Sequence, residues 1–338
     1  MSGGRQSSTI SVSRVCPGVG EHPCAFRRVN NVRPNPGCSV EIESDWGFGD
    51  THRNLPARKA SYLIELYSWN PGRPLLPGLL GRRLARAGYS GAPVNNFGDL
   101  LGPEIVKRVL ASEGLEAGDA QANSRLFSIG SVLHFAADGD TVWGTGRNGK
   151  ETNATHHFSE LDIRAVRGPL TAKFLQGRGI SVPTIFGDPG VLTAQFFPEL
   201  SPVPGQKKHA VTIVPNLNDF PKYRRQDNVL DPRTPLADCI RRIANSELVV
   251  GSSLHGIVVA ESFGVAARLV GSSHESEFKY EDYYLGTGRA MPKTALSVDE
   301  ALQLGGAEPL AYDPTALLGA FPFDLWDHGV EVAVQKRS

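Results

Sequence analysis

The stretch Glu247–Gly264, ELVVGSSLHGIVVAESFG, constrains the fold of this chain more than any other. Leu248, Val249 and Val250 make a short apolar run with the length and β-branching of a buried strand. The run breaks at Gly251, and Ser252 and Ser253 bring hydroxyls suited to capping a helix. His255 and Gly256 then fall in the first turn of an almost wholly apolar stretch closed by Gly264. Strand, Gly-Ser turn and buried helix, in that order, form the unit with which α/β proteins present a ligand site. The free N–H groups and positive dipole end of such a helix attract anions, which makes Ser252, Ser253 and Gly256 candidate binding positions. His255 adds an ionisable group beside a glycine that lets a ligand approach closely. A histidine satisfied at an ordinary strand–helix corner is the plainer alternative, and these residues alone leave both open.

The same alternation of short strands and helices runs through most of the chain. SYLIELYSW reads as a first strand, followed by a Pro/Gly-rich insertion, Asn70–Gly91, with a basic patch at Arg82, Arg83 and Arg86. In NNFGDLLGPEIVKRVL, Asp99 is placed to cap a helix whose apolar positions Leu100, Ile105, Val106, Val109 and Leu110 share a face, and the loop containing Asn96 is of the kind that lines a cleft. Two more strands, Arg125–Leu133 and Thr141–Gly146, come next. The second runs into Gly144–Lys150, whose glycines, Arg147 and Lys150 have anion-cradling chemistry without the spacing of a Walker loop. In DIRAVRGPLTAKFL a strand hands over at Arg167 to a helix with Pro at its first position, a natural place for an anion clamp. Pairing of Arg167 with a nearby carboxylate is the competing reading. Asp188 ends the strand of VPTIFGDPGVL. Ser201–Lys208 is the best linker, and beyond it HAVTI, a helix near Pro235–Asn245, the organising strand–helix and ARLVG repeat the pattern.

An α/β fold of two Rossmann-like lobes with parallel sheets is therefore expected: a poorly ordered leader over 1–59, an N-terminal lobe over 60–204 and a C-terminal lobe over 205–338. A chain of 338 residues has the length for two cores. Ligands in such sheets bind outside the carboxyl ends of the strands, and two lobes make a cleft. The 35 basic and 35 acidic residues balance, which disfavours a nucleic-acid partner. None of Cys16, Cys24, Cys38 and Cys239 forms a CxxC pair, and no run approaches the ~18 apolar residues of a membrane span. Reduced thiols in the cytoplasm are the expectation, with peripheral attachment to the inner membrane face open.

Six blocks in register, NNFGDLLGPEIVKRVL, WGTGRNGK, AVRGPLTAKFL, GDPGVL, GSSLHGIVVAESFGV and FKYEDYY, resemble the polysaccharide pyruvyl transferase family, in particular its exopolysaccharide (succinoglycan ketal transferase) branch. The resemblance spans about Ser61 to Arg289. It implies a GT-B-like arrangement with an interlobe cleft, and transfer of pyruvyl from phosphoenolpyruvate onto a sugar as a ketal, with no metal or other cofactor. By position in the motifs it carries the family's catalytic histidine onto His255 and its basic arginine onto Arg167. The acceptor would be a sugar or lipid-linked oligosaccharide.

The chemistry suits these residues. Phosphoenolpyruvate carries a carboxylate and a phosphate, so its site needs cations and oriented N–H donors, for which Arg167, Arg147, Ser252, Ser253 and Gly256 are the donor-binding candidates. A ketal also requires hydroxyls to lose protons, so His255 is expected to be general acid/base or phosphate ligand. Asn96, Asp99 and Asp188 are candidates for holding sugar hydroxyls or orienting a base. Glu261, six residues past His255, lies on another side of the helix and has a structural or ligand-binding role. Lys279 and Tyr280 are read most simply as surface residues. A GT-B glycosyltransferase with a nucleotide-sugar donor, and a non-catalytic carbohydrate- or anion-binding protein, are the competing functions.

Overall fold

A computed structural model describes residues 64–76, 78–80, 83, 89–116, 124–203 and 205–326. The expected leader over 1–59, Cys16, Cys24, Cys38, Arg82 and Arg86 lie outside these residues. The fold is mixed α/β with two parallel sheets. In chain order the strands are β1 (Ile64–Leu66), β2 (Gly72–Pro74), β3 (Ser90–Pro93), β4 (Ser124–Phe127), β5 (Thr141–Trp143), β6 (Asp162–Ala165), β7 (His209–Ile213), β8 (Ser246–Gly251) and β9 (Ala266–Leu269). The first sheet has the order β1-β4-β5-β6 and the second β7-β8-β9, every neighbour parallel. Strands β2 and β3 form a separate antiparallel ribbon.

Parallel neighbours need crossover segments, and helices supply most of them. The helices of seven or more residues are α1 (Phe97–Ser112), α2 (Pro169–Gln176), α3 (Leu236–Ala244), α4 (Leu254–Ser262), α5 (Phe278–Gly286) and α6 (Val298–Leu304). Phe97, Leu101, Ile105 and Val109 recur at four-residue spacing and give α1 a fully buried face. Helix α4 buries residues on every side, Leu254, Ile257, Val258, Val259 and Ala260 among them, as its nearly unbroken apolar run requires. These faces meet in one core that also takes in Tyr283 and Tyr284 of α5. Truncating one of its leucines to alanine costs about 2–5 kcal/mol in such surroundings.

The sequence expectation for α1 is corrected. Its N-cap is Asn96, in extended conformation, and Asp99 sits inside the first turn. Phe97 N–H donates to Pro232 O at 2.9 Å, so a segment distant in sequence fixes where the helix begins. The C-terminal residues return to the first sheet: Trp143 Nε1 donates to Leu317 O at 2.8 Å, and Arg164 makes two hydrogen bonds to Asp324. Cys239 is buried, and burial pushes its thiol up to about 12, which makes it a packing residue. Among the described residues no helix is long and apolar enough to cross a membrane.

Candidate functional site

A cavity of about 400 Å³ is walled by segments that follow the carboxyl ends of strands in both sheets. Ser131 and His134 come after β4, Asn148 and Lys150 after β5, Asn216 and Asn218 after β7, Ser253 and His255 after β8, and Glu275 and Lys279 after β9. Asn96 and Asp99 at the start of α1, with Trp69 after β1, complete the wall.

His255 is presented by α4. Gly251 takes a φ of +154°, which ends β8 in a conformation that favours glycine, and Ser253 caps the helix by accepting Gly256 N–H at 3.1 Å. The imidazole passes over Gly98 of α1, where a Cβ would come within 2.5 Å of Nδ1. Its Nε2 is buried and faces Asp188 Oδ2 at 3.8 Å, and neither atom has a hydrogen-bond partner among the described residues. Burial, then the charges of Lys279 and Arg167, push His255 down to about 3, so its ring is neutral at physiological pH. Burial pushes the Asp188 carboxyl the other way, up to about 6, against the hydrogen bond from Gly190 N–H and the pull of Arg167. Both shifts favour the neutral forms of the two groups in the ligand-free chain. A neutral ring whose Nε2–H points at Asp188 keeps its Nδ1 lone pair for accepting a proton.

Arg167 stands one layer behind the wall. Its guanidinium is fully buried, pairs with Asp282 at 3.0 Å, and donates to Ser131 Oγ at 2.7 Å and to Arg147 O at 2.9 Å. Gly146 lets the guanidinium lie flat on the backbone, because a Cβ there would collide with it. Asp282 meanwhile accepts Leu170 N–H, Thr171 N–H and Thr171 Oγ–H, so it caps α2, whose own N-cap is Gly168. Arg167 therefore reaches the cavity through Ser131 and through its field. Of the two sequence readings, anion clamp and carboxylate pairing, the structure places the pairing, and the guanidinium does not line the cavity.

The other candidates separate. Asn96 Nδ2 donates to Asp99 Oδ2 at 2.7 Å inside the cavity wall. Burial raises the Asp99 carboxyl to about 6, opposed by the Asn96 hydrogen bond and the charge of Lys279. Ser253 and Gly256 form the α4 start, but Ser252 turns inward: its Oγ donates to Asp219 at 2.6 Å and accepts from Asn216. Arg147 points away from the cavity, its guanidinium over the Phe174 ring and bonded to Glu151 O. Glu261 takes a two-pronged ion pair from Arg289 and a hydrogen bond from Tyr283, a buried structural cluster apart from the cavity.

Lys279 was expected at the surface and is not there. Its side chain is 13% exposed, lines the cavity and pairs with Glu275 at 3.1 Å, while Lys150 approaches the same carboxylate at 3.2 Å. Two ammonium groups meet one carboxylate at that end of the cavity, where burial lowers the Lys279 ammonium against the pull of Glu275. Tyr280 is also buried, donating to Ser252 O at 2.7 Å. The motif reading passed over Ser131, His134, Asn216 and Trp69, none of which belongs to a charged or glycine-rich cluster that draws attention in the sequence.

Comparison with known proteins now bears on this geometry. Residues 142–274 match the model of the family described as polysaccharide pyruvyl transferase. The matched segment runs from β5 to the residues that follow β9. It supplies Asn148, Lys150, Asn216, Asn218, Ser253 and His255 to the cavity wall, together with Asp188 and Arg167 behind it. The chain is also 35% identical over 172 residues to the succinoglycan biosynthesis protein ExoV of Rhizobium meliloti (strain 1021). That match takes in 47% of this chain and 52% of ExoV, so the chain spans about half the length of that curated relative. A solved structure of an uncharacterized protein from Klebsiella pneumoniae subsp. pneumoniae NTUH-K2044 aligns over 66% of this chain and 87% of its own, at 13% identity and a TM-score of 0.35. Outside the matched segment the wall also takes in Trp69, Asn96, Asp99, Ser131, His134, Glu275 and Lys279.

Proposed function

We propose that this chain moves the pyruvyl group of phosphoenolpyruvate onto two hydroxyls of an exopolysaccharide or other cell-surface glycan precursor, forming a cyclic ketal. One coincidence carries this reading: the segment that matches the pyruvyl transferase family also supplies half of the residues that line the cavity, His255 among them. A volume of about 400 Å³ lies in the usual range for small-molecule sites. The two parallel sheets are read as the lobes of a GT-B-like arrangement, with the cavity as the crevice between them.

The donor's phosphate and carboxylate sit at the lysine end, on Lys279 and Lys150, with the first-turn N–H groups of α4 and the buried charge of Arg167 behind Ser131 adding to the attraction. The reaction begins with a proton delivered to the methylene carbon, which becomes the methyl group and leaves C2 electrophilic. A sugar hydroxyl attacks C2 and gives up its proton. The C2–O bond to phosphate breaks, phosphate departs with the electron pair, and the second hydroxyl attacks C2 and loses its own proton. Of the two protons released, one replaces that spent on the methylene carbon and one leaves with phosphate. His255, neutral and with its Nε2 facing Asp188, is the base at Nδ1; loaded with that proton it becomes the acid for the next transfer. Asn96 and Asp99 hold acceptor hydroxyls, and Trp69 offers a ring face for a sugar to stack upon.

The test is incubation of the full chain with phosphoenolpyruvate and a panel of free and lipid-linked oligosaccharides. Phosphate release that depends on the glycan, with a product heavier by one pyruvyl ketal, is the expected result. Release of a nucleoside diphosphate from a nucleotide sugar in its place would overturn the reading.

A further inference from the structure

Pyruvyl transfer starts with a proton arriving at the methylene carbon, and a neutral His255 whose Nδ1 carries a lone pair has none to give there. A second titratable group stands beside that nitrogen. Gly98 of α1 lies against the imidazole, where a Cβ would come within 2.5 Å of Nδ1, and the next residue of the helix is Asp99. Both side chains line the cavity. Asp99 Oδ2 accepts from Asn96 Nδ2 at 2.7 Å, its one side-chain hydrogen bond among the described residues, and none of these residues makes an ion pair with it. The other carboxyls of the wall are placed differently: Glu275 is held by Lys279 and Lys150 together, and Glu151 belongs to the loop after β5. Lys279 of α5, Glu275 ahead of it, Tyr67 after β1 and His255 of α4 are the titratable groups that bear on Asp99. Lys279 and the Asn96 hydrogen bond favour the carboxylate, and burial outweighs them, holding the carboxyl up at about 6. A carboxyl raised and an imidazole lowered within one cavity are the arrangement that sets an acid apart from a base.

We propose that Asp99 is the acid that protonates the methylene carbon of the donor, with His255 as its complementary base, an inference that rests on the pyruvyl-transfer reading. The Asp99 O–H bond breaks as a C–H bond forms and the methylene becomes methyl, while a sugar hydroxyl bonds to C2 and passes its proton to His255 Nδ1. That proton leaves with phosphate, which takes the electron pair of the breaking C2–O bond. The second hydroxyl then bonds to C2 and returns its proton to the Asp99 carboxylate, so both groups end as they began. Asn96 occupies Oδ2, which leaves Oδ1 to carry the proton in each direction. Asp99 thus holds the hydroxyl that it deprotonates.

The test sets the full chain beside its Asp99→Asn variant in the phosphoenolpyruvate assay. Asparagine keeps the shape and can still hydrogen-bond a sugar, but it has no carboxyl proton to exchange. Turnover is expected to fall roughly 10³-fold, with the calorimetric donor Kd and the acceptor KM staying within about threefold of wild type. Wild-type kcat is expected to fall as pH rises above about 6, where the carboxyl ionises, and the variant's residual rate to lack that limb. A residue that merely held the acceptor would raise its KM and leave the pH profile alone. Asp99→Asn turnover within about threefold of wild type, a loss confined to donor or acceptor affinity, or a wild-type profile without the falling limb overturns the inference and leaves the pyruvyl-transfer reading standing. A wild-type chain that transfers no pyruvyl overturns that reading, and this inference with it.

Discussion

Two buried atoms without hydrogen-bond partners among the described residues, His255 Nε2 and Asp188 Oδ2, face each other at 3.8 Å. Leaving polar groups unpaired in the interior costs stability, and such a cost is kept where it serves a site. Asp188→Asn tests this with two opposite effects. Folding raises the Asp188 carboxyl from near 4 to about 6, so the folded chain binds the extra proton and loses stability as pH rises across that interval. Above pH 6 the ionised carboxylate is the destabilising form, and Asp188→Asn is expected to be more stable than wild type by about 1–3 kcal/mol, with no gain near pH 4. Urea unfolding at both pH values measures it. Pyruvyl transfer by the same variant should fall roughly 10²-fold in kcat with little change in the donor KM, since the carboxylate acts through His255. A variant less stable at neutral pH, or one with wild-type kcat, would remove Asp188 from the pair. Arg167→Ala is expected to cost about 3–5 kcal/mol by stranding Asp282 in the interior, a loss that thermal unfolding will register beside any change in donor KM. His255 was readable because its Gly-Ser-Ser turn advertises a helix start. Lys279 and Asp282 were not, because FKYEDYYLG has the charge content of a solvated helix while the fold packs both sides of it. One clue to Asp282 was present: Pro169 opens α2 after a glycine, so the free N–H groups of Leu170 and Thr171 needed an acceptor from elsewhere.

At the scale of elements, the β8–α4 unit follows its local sequence. Its β-branched run, Gly251, Ser253 cap and apolar helix all agree with one another, and that agreement is what makes a segment legible. The start of α1 is harder, because Asn96 and Asp99 are both capping types three residues apart. The choice between them is made by Phe97 N–H bonding to Pro232 O, a contact no local pattern contains. The close crossing of α1 over His255 gives a prediction that belongs to the pair of helices. Gly98→Ala places a methyl group 2.5 Å from His255 Nδ1, which must move the ring. Alanine is the better helix former by about 0.8–1.0 kcal/mol, so unfolding should show little loss of stability while activity falls by tenfold or more. Strong destabilisation with activity per folded molecule unchanged would show that the ring is not where catalysis needs it.

For the whole molecule, alternating strands and helices foretold parallel sheets, since parallel neighbours require crossovers and three of the five crossovers carry an α-helix. The return of the C-terminal residues was not foretold. Trp143 and Leu317 are joined by a hydrogen bond across 174 positions, and nothing in either local sequence announces the other. The cavity is likewise a property of the assembled chain: its wall draws on segments from Trp69 to Lys279, and its lysine end exists because Lys150 and Lys279 arrive from different sheets at one glutamate. A ligand bound there should stabilise the fold by mass action, by about 2.7 kcal/mol at a hundred times its Kd, which phosphoenolpyruvate is expected to show as a rise in Tm. The most direct test of the account is calorimetric titration of phosphoenolpyruvate into the full chain and into its Lys279→Met variant. Wild type is expected to bind the donor, and the variant to bind it roughly ten to a hundred times more weakly, as loss of one charge-assisted contact requires. A wild-type chain that takes up no phosphoenolpyruvate, or a Lys279→Met chain that binds it as tightly as wild type, would contradict the account.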